Sequence, residues 1–242
     1  MSPIDREAHL NRWRQKPLVE KLLLALGMML LALALKPWPA AALITAVMTG
    51  ATLIGARVSP RVWLACATAP LGFLTVGVVS LVLRIELNGV SLAPGGIEAA
   101  GSLAARSAAG VTCLLFLALT TPTCDLLAGA RRVGVPAEII EVALLMYRFL
   151  FILADEVSAM DAAQAARLGH ASKGRRLRSL GLVAANLLPR ALDRARRMEI
   201  GLAARGWRGE MRVLSDRPGT TLRGVSEVAA VLCATAFLGI FA

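Results

Sequence analysis

Five apolar runs punctuate this chain, at residues 18–35, 40–56, 61–83, 107–130 and 225–241, and each approaches or exceeds the roughly 20 residues that a helix needs to cross a bilayer. In hydrocarbon no water satisfies backbone N–H and C=O groups, so such segments fold as helices. The expected class is therefore an all-α membrane protein. Composition agrees: 57% of residues are apolar, against about 45–50% in soluble domains, and mean hydropathy is +0.65.

The charges between the runs set an expected topology. Residues 1–17 form a polar leader carrying Arg6, Arg12, Arg14 and Lys16, which the positive-inside rule assigns to the cytoplasm, with Trp13 as an interfacial anchor. The run behind the leader lacks a small-residue cleavage site and reads as a retained span. Lys21 lies close enough to its start to snorkel toward the interface. Lys36-Pro37-Trp38-Pro39 makes an outer turn, and Arg57 and Arg61 mark the cytoplasmic side around Ser59-Pro60. The third run is interrupted at Pro70-Leu71-Gly72. A polar external loop is expected from Arg84 to Arg106, with Asn88-Gly89 and Pro94-Gly95-Gly96 as turn signals. The fourth run carries Pro122 and ends inside at Arg131-Arg132.

Residues 139–154 are apolar for only about 16 positions and contain Arg148, which is short for a span. Were this run to cross, the segment after it would lie outside. That segment carries 14 Lys and Arg against 5 Asp and Glu between Asp161 and Arg223, so it belongs in the cytoplasm. The expectation is a helix embedded at the cytoplasmic face, continuing as a polar helix that ends at Arg167. Gly174 opens a second basic stretch, with Leu177, Leu180, Val183, Ala184 and Leu187 on one side. Pro189 either kinks this helix or begins a new one capped by Asn186. Beyond it, Leu188, Ala191, Leu192, Ala195, Met198 and Leu202 recur at helical spacing opposite Arg190, Asp193, Arg194 and Arg197. That stripe is expected to pack on its own helices or on the membrane surface.

The chain thus divides into a leader (1–17), four transmembrane helices (18–132), an interfacial and cytoplasmic domain of two to three amphipathic helices (133–222) and a last span (223–242). The C-terminus would emerge outside.

One phrase occurs twice in the basic segment. Ala165-Ala166-Arg167-Leu168-Gly169 is followed 38 positions later by Ala203-Ala204-Arg205-Gly206. Glycine enters the left-handed region just past a helix end, and a cation in the last turn suits the helix dipole. One copy would be ordinary capping. Two copies in one basic segment point to docking, because an arginine fork on a helix tip suits the carboxylates of another protein.

Other functions find little support. The net charge of +11 accompanies only 5% aromatic residues and no basic-aromatic stacking pattern, so nucleic acid is not the expected partner. Cys66, Cys113, Cys124 and Cys233 are scattered without zinc-type spacing, and His9 and His170 belong to no H-E-x-x-H phrase. Asp125 and Glu141 stand singly in the sequence near span ends. No G-x-x-x-x-G-K-[ST] phosphate loop is present. Catalytic residues, cofactor and resident metal are therefore not expected, and any ATP chemistry belongs to a partner.

Thr120-Thr121-Pro122, residues 126–132, Gly134-Val135-Pro136, Tyr147-Arg148-Phe149, Asp155-Glu156 and the two Ala-Arg phrases occur in an order that resembles the transmembrane T component of energy-coupling factor transporters. Within that EcfT family the chain is most similar to the CbiQ branch associated with cobalt uptake. The first Ala-Arg phrase departs from the contiguous pattern in placing Leu168 before Gly169. The resemblance implies a non-catalytic scaffold in the cell membrane. Two ATP-binding-cassette ATPases would dock on it, and a separate S component would capture the substrate: cobalt, or alternatively nickel or a vitamin. It further implies that Arg167 meets one ATPase and Arg205 the other, with Ala166, Gly169, Ala204 and Gly206 keeping the tips slim. A secondary transporter binding its own solute is the rival, but the spans offer mainly Thr, Ser and Gly and no acidic residue near a midpoint.

Overall fold

The computed structural model describes residues 3–35, 37–86, 89–92, 95–206 and 221–241. Nine α-helices are described: α1 (Pro3–Leu10), α2 (Leu18–Ala34), α3 (Pro37–Gly50), α4 (Pro60–Val82), α5 (Gly96–Thr120), α6 (Thr123–Ala130), α7 (Ala137–Ala166), α8 (Lys173–Ala204) and α9 (Leu222–Phe241). Short 3-10 turns at Arg12–Gln15 and Arg131–Val133 follow α1 and α6. Two compact units emerge, residues 1–126 with 216–242, and residues 127–215.

The first unit holds the membrane helices. Among the described residues, four segments are long and apolar enough to cross a bilayer: Trp38–Gly55, Pro60–Val82, Gly96–Thr120 and Leu222–Gly239. The all-α membrane architecture read from the sequence stands. α2, with 17 residues, is about 26 Å long at 1.5 Å per residue. Its Leu24, Ala25, Met28 and Ala32 pack with Ala41, Ile44 and Met48 of α3 and with Ala109, Cys113 and Phe116 of α5. Val228 and Leu232 of α9 close the cluster, and Thr235 Oγ1 lies 3.6 Å from Met28 Sδ. α4 is exposed along most of its length, Phe73 by 82%. Within a bilayer such a face is covered by acyl chains and needs no protein partner.

Several local expectations are corrected. The loop expected at 84–106 is mostly structured. Leu83–Glu86 pairs antiparallel with Gly89–Leu92, in the register Leu83↔Leu92 and Ile85↔Val90, and α5 begins at Gly96 after Gly95 at φ +76°. Asn88 of the expected turn lies outside the described residues, as does the polar turn expected at 215–219. α3 begins at Pro37, where a proline fits the first helical turn. It closes in a wide turn, Ala56 N–H donating to Ala51 C=O at 2.9 Å, and Arg57 follows at φ +56°.

The fourth run is not one helix. Pro122 offers no N–H, so α5 stops at Thr120 and α6 restarts at Thr123. This break leaves α5 carbonyls orphaned in a buried place. Lys21 Nζ donates to the Thr120 carbonyl at 2.9 Å, and Asn11 Nδ2 donates to the Leu119 and Thr120 carbonyls at 3.2 and 3.3 Å. Lys21 therefore does not snorkel: it is 2% exposed. A cation at a helix C-terminus also meets the negative end of the helix dipole. Neighbouring Glu20 is buried as well, against the first turn of α9, where a Cβ on Gly224 would collide with its carboxylate. That helix N-terminus favours negative charge.

The polar leader is likewise part of the fold. Asp5, Ala8 and Asn11 are buried, and Asn11 Nδ2 also donates to the Ala8 carbonyl at 2.8 Å. Trp13 packs edge-on against Phe116, ring centroids 5.5 Å apart, so it serves the core rather than an interfacial belt.

Replacing Lys21 with Met removes the donor while keeping a similar stem. The buried Thr120 carbonyl then loses its charged partner, which should lower stability by about 1–3 kcal/mol. Thermal unfolding in detergent checks this: an unchanged midpoint for Lys21→Met would mean that the α5 end does not rely on the lysine.

Candidate functional site

The second unit is built on α7 and α8. α7 runs unbroken for 30 residues, through Arg148, from apolar into polar sequence. Tyr147 and Phe151 stack edge-to-face at 5.0 Å. α8 is a single helix of 32 residues, with Pro189 inside it. It opens one residue earlier than Gly174, because Ser172 caps it: the Ser172 hydroxyl accepts from the Arg175 N–H at 3.3 Å. Asn186 caps nothing and donates instead to the Leu182 carbonyl at 2.8 Å. The carbonyl of Ala185, freed by the proline, is on an exposed residue that water reaches.

The two helices run antiparallel, joined by the loop at 167–172. Arg190, immediately after the proline, forms an ion pair with Glu156. Nearer the loop, Ser179 Oγ donates to the Gly169 carbonyl at 3.3 Å, and His170 Nε2 lies 3.1 Å from Asp161 Oδ1. Burial is sparse: Ile140 on α7, and Ser179 and Val183 on α8. The α8 stripe is thus not packed on its own hairpin, since Leu177, Leu180, Leu188 and Leu192 are more than half exposed. On α7 a matching exposed row is Ile139, Val142, Met146 and Leu150.

Both repeated phrases fall at helix C-termini. Arg167 is the cap residue of α7 and Arg205 that of α8. Ala166 and Ala204 are the last helical residues, so the pattern Ala-Ala-Arg superposes on the same three cap positions in each helix. Arg205 N–H donates to Leu202 C=O at 3.1 Å and Gly206 N–H to Ala203 C=O at 3.0 Å; Gly206 takes φ +72°. The sequence-based expectation holds at that end.

At the first end it does not. Leu168, not Gly169, occupies the left-handed position, at φ +61°. Leu168 N–H donates to Ala165 C=O at 3.0 Å and Gly169 N–H to Gln164 C=O at 2.9 Å, the paired bonds that close a helix by a Schellman turn. Gly169 is required for a different reason. A Cβ there would lie 2.8 Å from the Gln164 carbonyl oxygen and would collide with Ser179 Oγ. The two glycines of the repeat therefore do unlike jobs, one conformational and one steric.

Arg167 and Arg205 are exposed, and neither guanidinium is paired among the described residues. Arg167 precedes α8 and Arg205 follows it, so the whole 32-residue helix, about 48 Å long at 1.5 Å per residue, lies between them. Sequence reading missed Ser172, Ser179 and the Asp161–His170 pair. Ser172 carried a signal: a serine just before a basic helical run is an N-cap. The others are contacts between helices, which periodicity along one helix does not reveal.

The fold and these two tips define a multi-pass, all-α membrane protein carrying a basic helical hairpin. A family profile described as cobalt transport protein, CbiQ, matches residues 10–214, and the chain belongs to that family. It is 56% identical over 221 residues to the cobalt transport protein CbiQ of Rhodobacter capsulatus, covering 91% of each chain. To the cobalt transport protein CbiQ of Salmonella typhimurium it is 32% identical, over 87% of this chain and 99% of the relative. It also matches a fused cobalt transport protein CbiMQ of Methanocorpusculum labreanum, 29% identical over 69% of this chain and 30% of that one. The family resemblance carried by the motifs is thereby established.

The unlike roles of the two glycines are testable. Gly169→Ala forces the loop off Ser179, whereas Gly206→Ala only strains one left-handed residue, at about 1 kcal/mol. Hydrogen exchange at residues 167–180 should accelerate in Gly169→Ala and stay unchanged in Gly206→Ala. Equal protection in both variants would remove the steric role given to Gly169.

Proposed function

We propose that this chain is the scaffold and energy-coupling subunit of a cobalt importer of the energy-coupling factor type. It performs no chemistry itself. Two ATP-binding-cassette ATPases dock at the α7 and α8 tips, Arg167 entering an acidic site on one and Arg205 on the other. A substrate-binding membrane subunit captures the metal, and the relative in which CbiQ and CbiM parts share one chain supports a partner of the CbiM kind. The leader and the hairpin are cytoplasmic in this reading, since the basic excess of the hairpin segment obeys the positive-inside rule.

The observation that carries the proposal is the pair of exposed arginines, unpaired among the described residues, at equivalent cap positions of two helices. A guanidinium fork on a helix end is suited to bidentate carboxylate recognition. Their separation supports two sites, because no single carboxylate groove reaches both ends of α8. ATP binding would draw the ATPases together and the tips with them. Such coupling requires that the tips favour different positions in the two nucleotide states, since equal affinity transmits nothing. Cobalt rather than nickel or a vitamin rests on the names of the relatives.

Arg205→Ala should lower ATPase co-purification and cobalt uptake, each by about tenfold or more, the scale of a lost interface hot spot. Membrane insertion should be intact. Wild-type ATPase yield together with normal uptake would sink the assignment, and uptake by the purified chain alone would sink the scaffold reading.

A further inference from the structure

We infer that Leu168 is itself a docking residue, an apolar prong beside Arg167 that enters an apolar socket bordered by the acidic groups of the partner ATPase. The inference rests on the docking reading of Arg167 and adds the chemistry of the surface it meets.

Among the described residues, only Arg57 and Leu168 have a positive φ without being glycine, at 56° and 61°. A Cβ makes that conformation unfavourable, so each needs a cause. For Arg57 the cause is packing: its neighbours Ala56 and Val58 are 0% and 2% exposed and hold the backbone in the core. At Leu168 the Schellman bonds and the fixed Gly169 hold the backbone in the same way, and the leucine side chain, 67% exposed, is no part of that hold. The turn does not require leucine either, because the equivalent position after α8 is Gly206, at φ +72°. Stability alone would favour glycine at both ends.

The surroundings hold this leucine firmly nonetheless. Its N–H donates to Ala165 C=O at 3.0 Å, its carbonyl accepts from Ala171 N–H at 3.2 Å, and Gly169 beside it is fixed to Ser179. The His170–Asp161 pair, at 3.1 Å, ties the loop back to α7. A strained, exposed apolar side chain on a rigid turn is arranged as a preorganised anchor, with its ordering already complete before binding. The adjacent unpaired guanidinium sets the partner's charge, and the leucine sets a dry cavity next to it. A bilayer is the poorer occupant. One leucine among Arg167, His170 and Lys173 offers too little apolar surface to insert, whereas a protein socket needs only one side chain. The second tip presents Gly206 instead, so the two tips ask for different sockets.

The test uses the full chain in mild detergent, with the ATPases that co-purify with the wild type, measured as retained ATPase across a salt series. Leu168→Ala keeps the strain and removes the prong; Leu168→Gly removes both. Each should weaken retention by about tenfold, the effect of burying one leucine, with an unchanged salt slope. Leu168→Met should bind as wild type, and Leu168→Gly should unfold at the same temperature or higher. Arg167→Ala should weaken retention and flatten the salt slope. If Arg167→Ala weakens binding while Leu168→Ala and Leu168→Gly do not, the prong is overturned and the docking reading stands. If none of the three weakens it, or no ATPase co-purifies with the wild type, the docking reading falls and the prong with it. Loss of binding to anionic phosphatidylglycerol vesicles with ATPase retention intact would assign Leu168 to lipid and also overturn the proposal.

Discussion

The last carbonyls of a helix must find donors, and where they find them decides what each helix end in this protein can do. At α5 the end is buried, so the donors are side chains brought from elsewhere, Asn11 and Lys21. The lysine's charge is used up inside the fold. At α7 and α8 the ends are exposed, and the chain turns back to supply its own N–H groups from Arg167 to Gly169 and from Arg205 to Gly206. With the backbone closed on itself, both guanidiniums are unpaired among the described residues. Cationic groups at helix ends thus stand in two situations here: one holds the membrane unit together, and two lie exposed at their helix tips.

α7 and α8 share few buried residues, and their ties are the Glu156–Arg190 pair near mid-helix and the contacts of Gly169, Asp161 and His170 at the loop. Surface ion pairs contribute about 0.2–1 kcal/mol each, so these ties align the helices without welding them. Each helix is stiff along its axis, while the angle between them is lightly held. In the proposed coupling, two ATPases pulling on the two tips would change that angle before they bent either helix. Pro189 lies within α8 one residue before the anchored Arg190, so any bend it introduces is centred on the attachment point.

Much of this was legible in the sequence, because apolar length and charge asymmetry are properties of single segments. The membrane helices and the basic insertion follow from them, and the glycine after each Ala-Arg phrase places both arginines at helix ends. What failed to show was pairing across distance. Lys21 looked like a snorkelling lysine, since nothing in residues 18–35 announces that the end of α5, 99 positions away, is broken at Pro122 and needs a donor. Trp13 reads as an interfacial anchor until Phe116 is found beside it. At the first Ala-Arg phrase, as at the second, the sequence predicts the left-handed role for the glycine. The Schellman bonds give that role to Leu168, and Gly169 is needed for clearance against a helix that begins four residues later.

The exposed stripe of α8 gives the same hairpin a second kind of surface. Leu177, Leu180, Leu188 and Leu192 lie open, and Arg175, Arg176, Arg178, Arg194, Arg196 and Arg197 share the helix. An amphipathic helix of this composition adheres to an anionic membrane face, each basic residue adding about 1 kcal/mol. That attraction is spread over many residues, and no one of them is decisive. Salt screens it over about 8–10 Å. In the proposed docking the tips differ in kind: each would present one arginine in one geometry, joined at the first tip by Leu168, and a helix end seated in a groove is partly shielded from salt. Diffuse adhesion can fix where a helix lies without dictating its partner, and a single fork can select a partner without holding the helix in place. On the proposed reading, a hairpin with both, on faces and ends respectively, would remain at the membrane while its tips changed position.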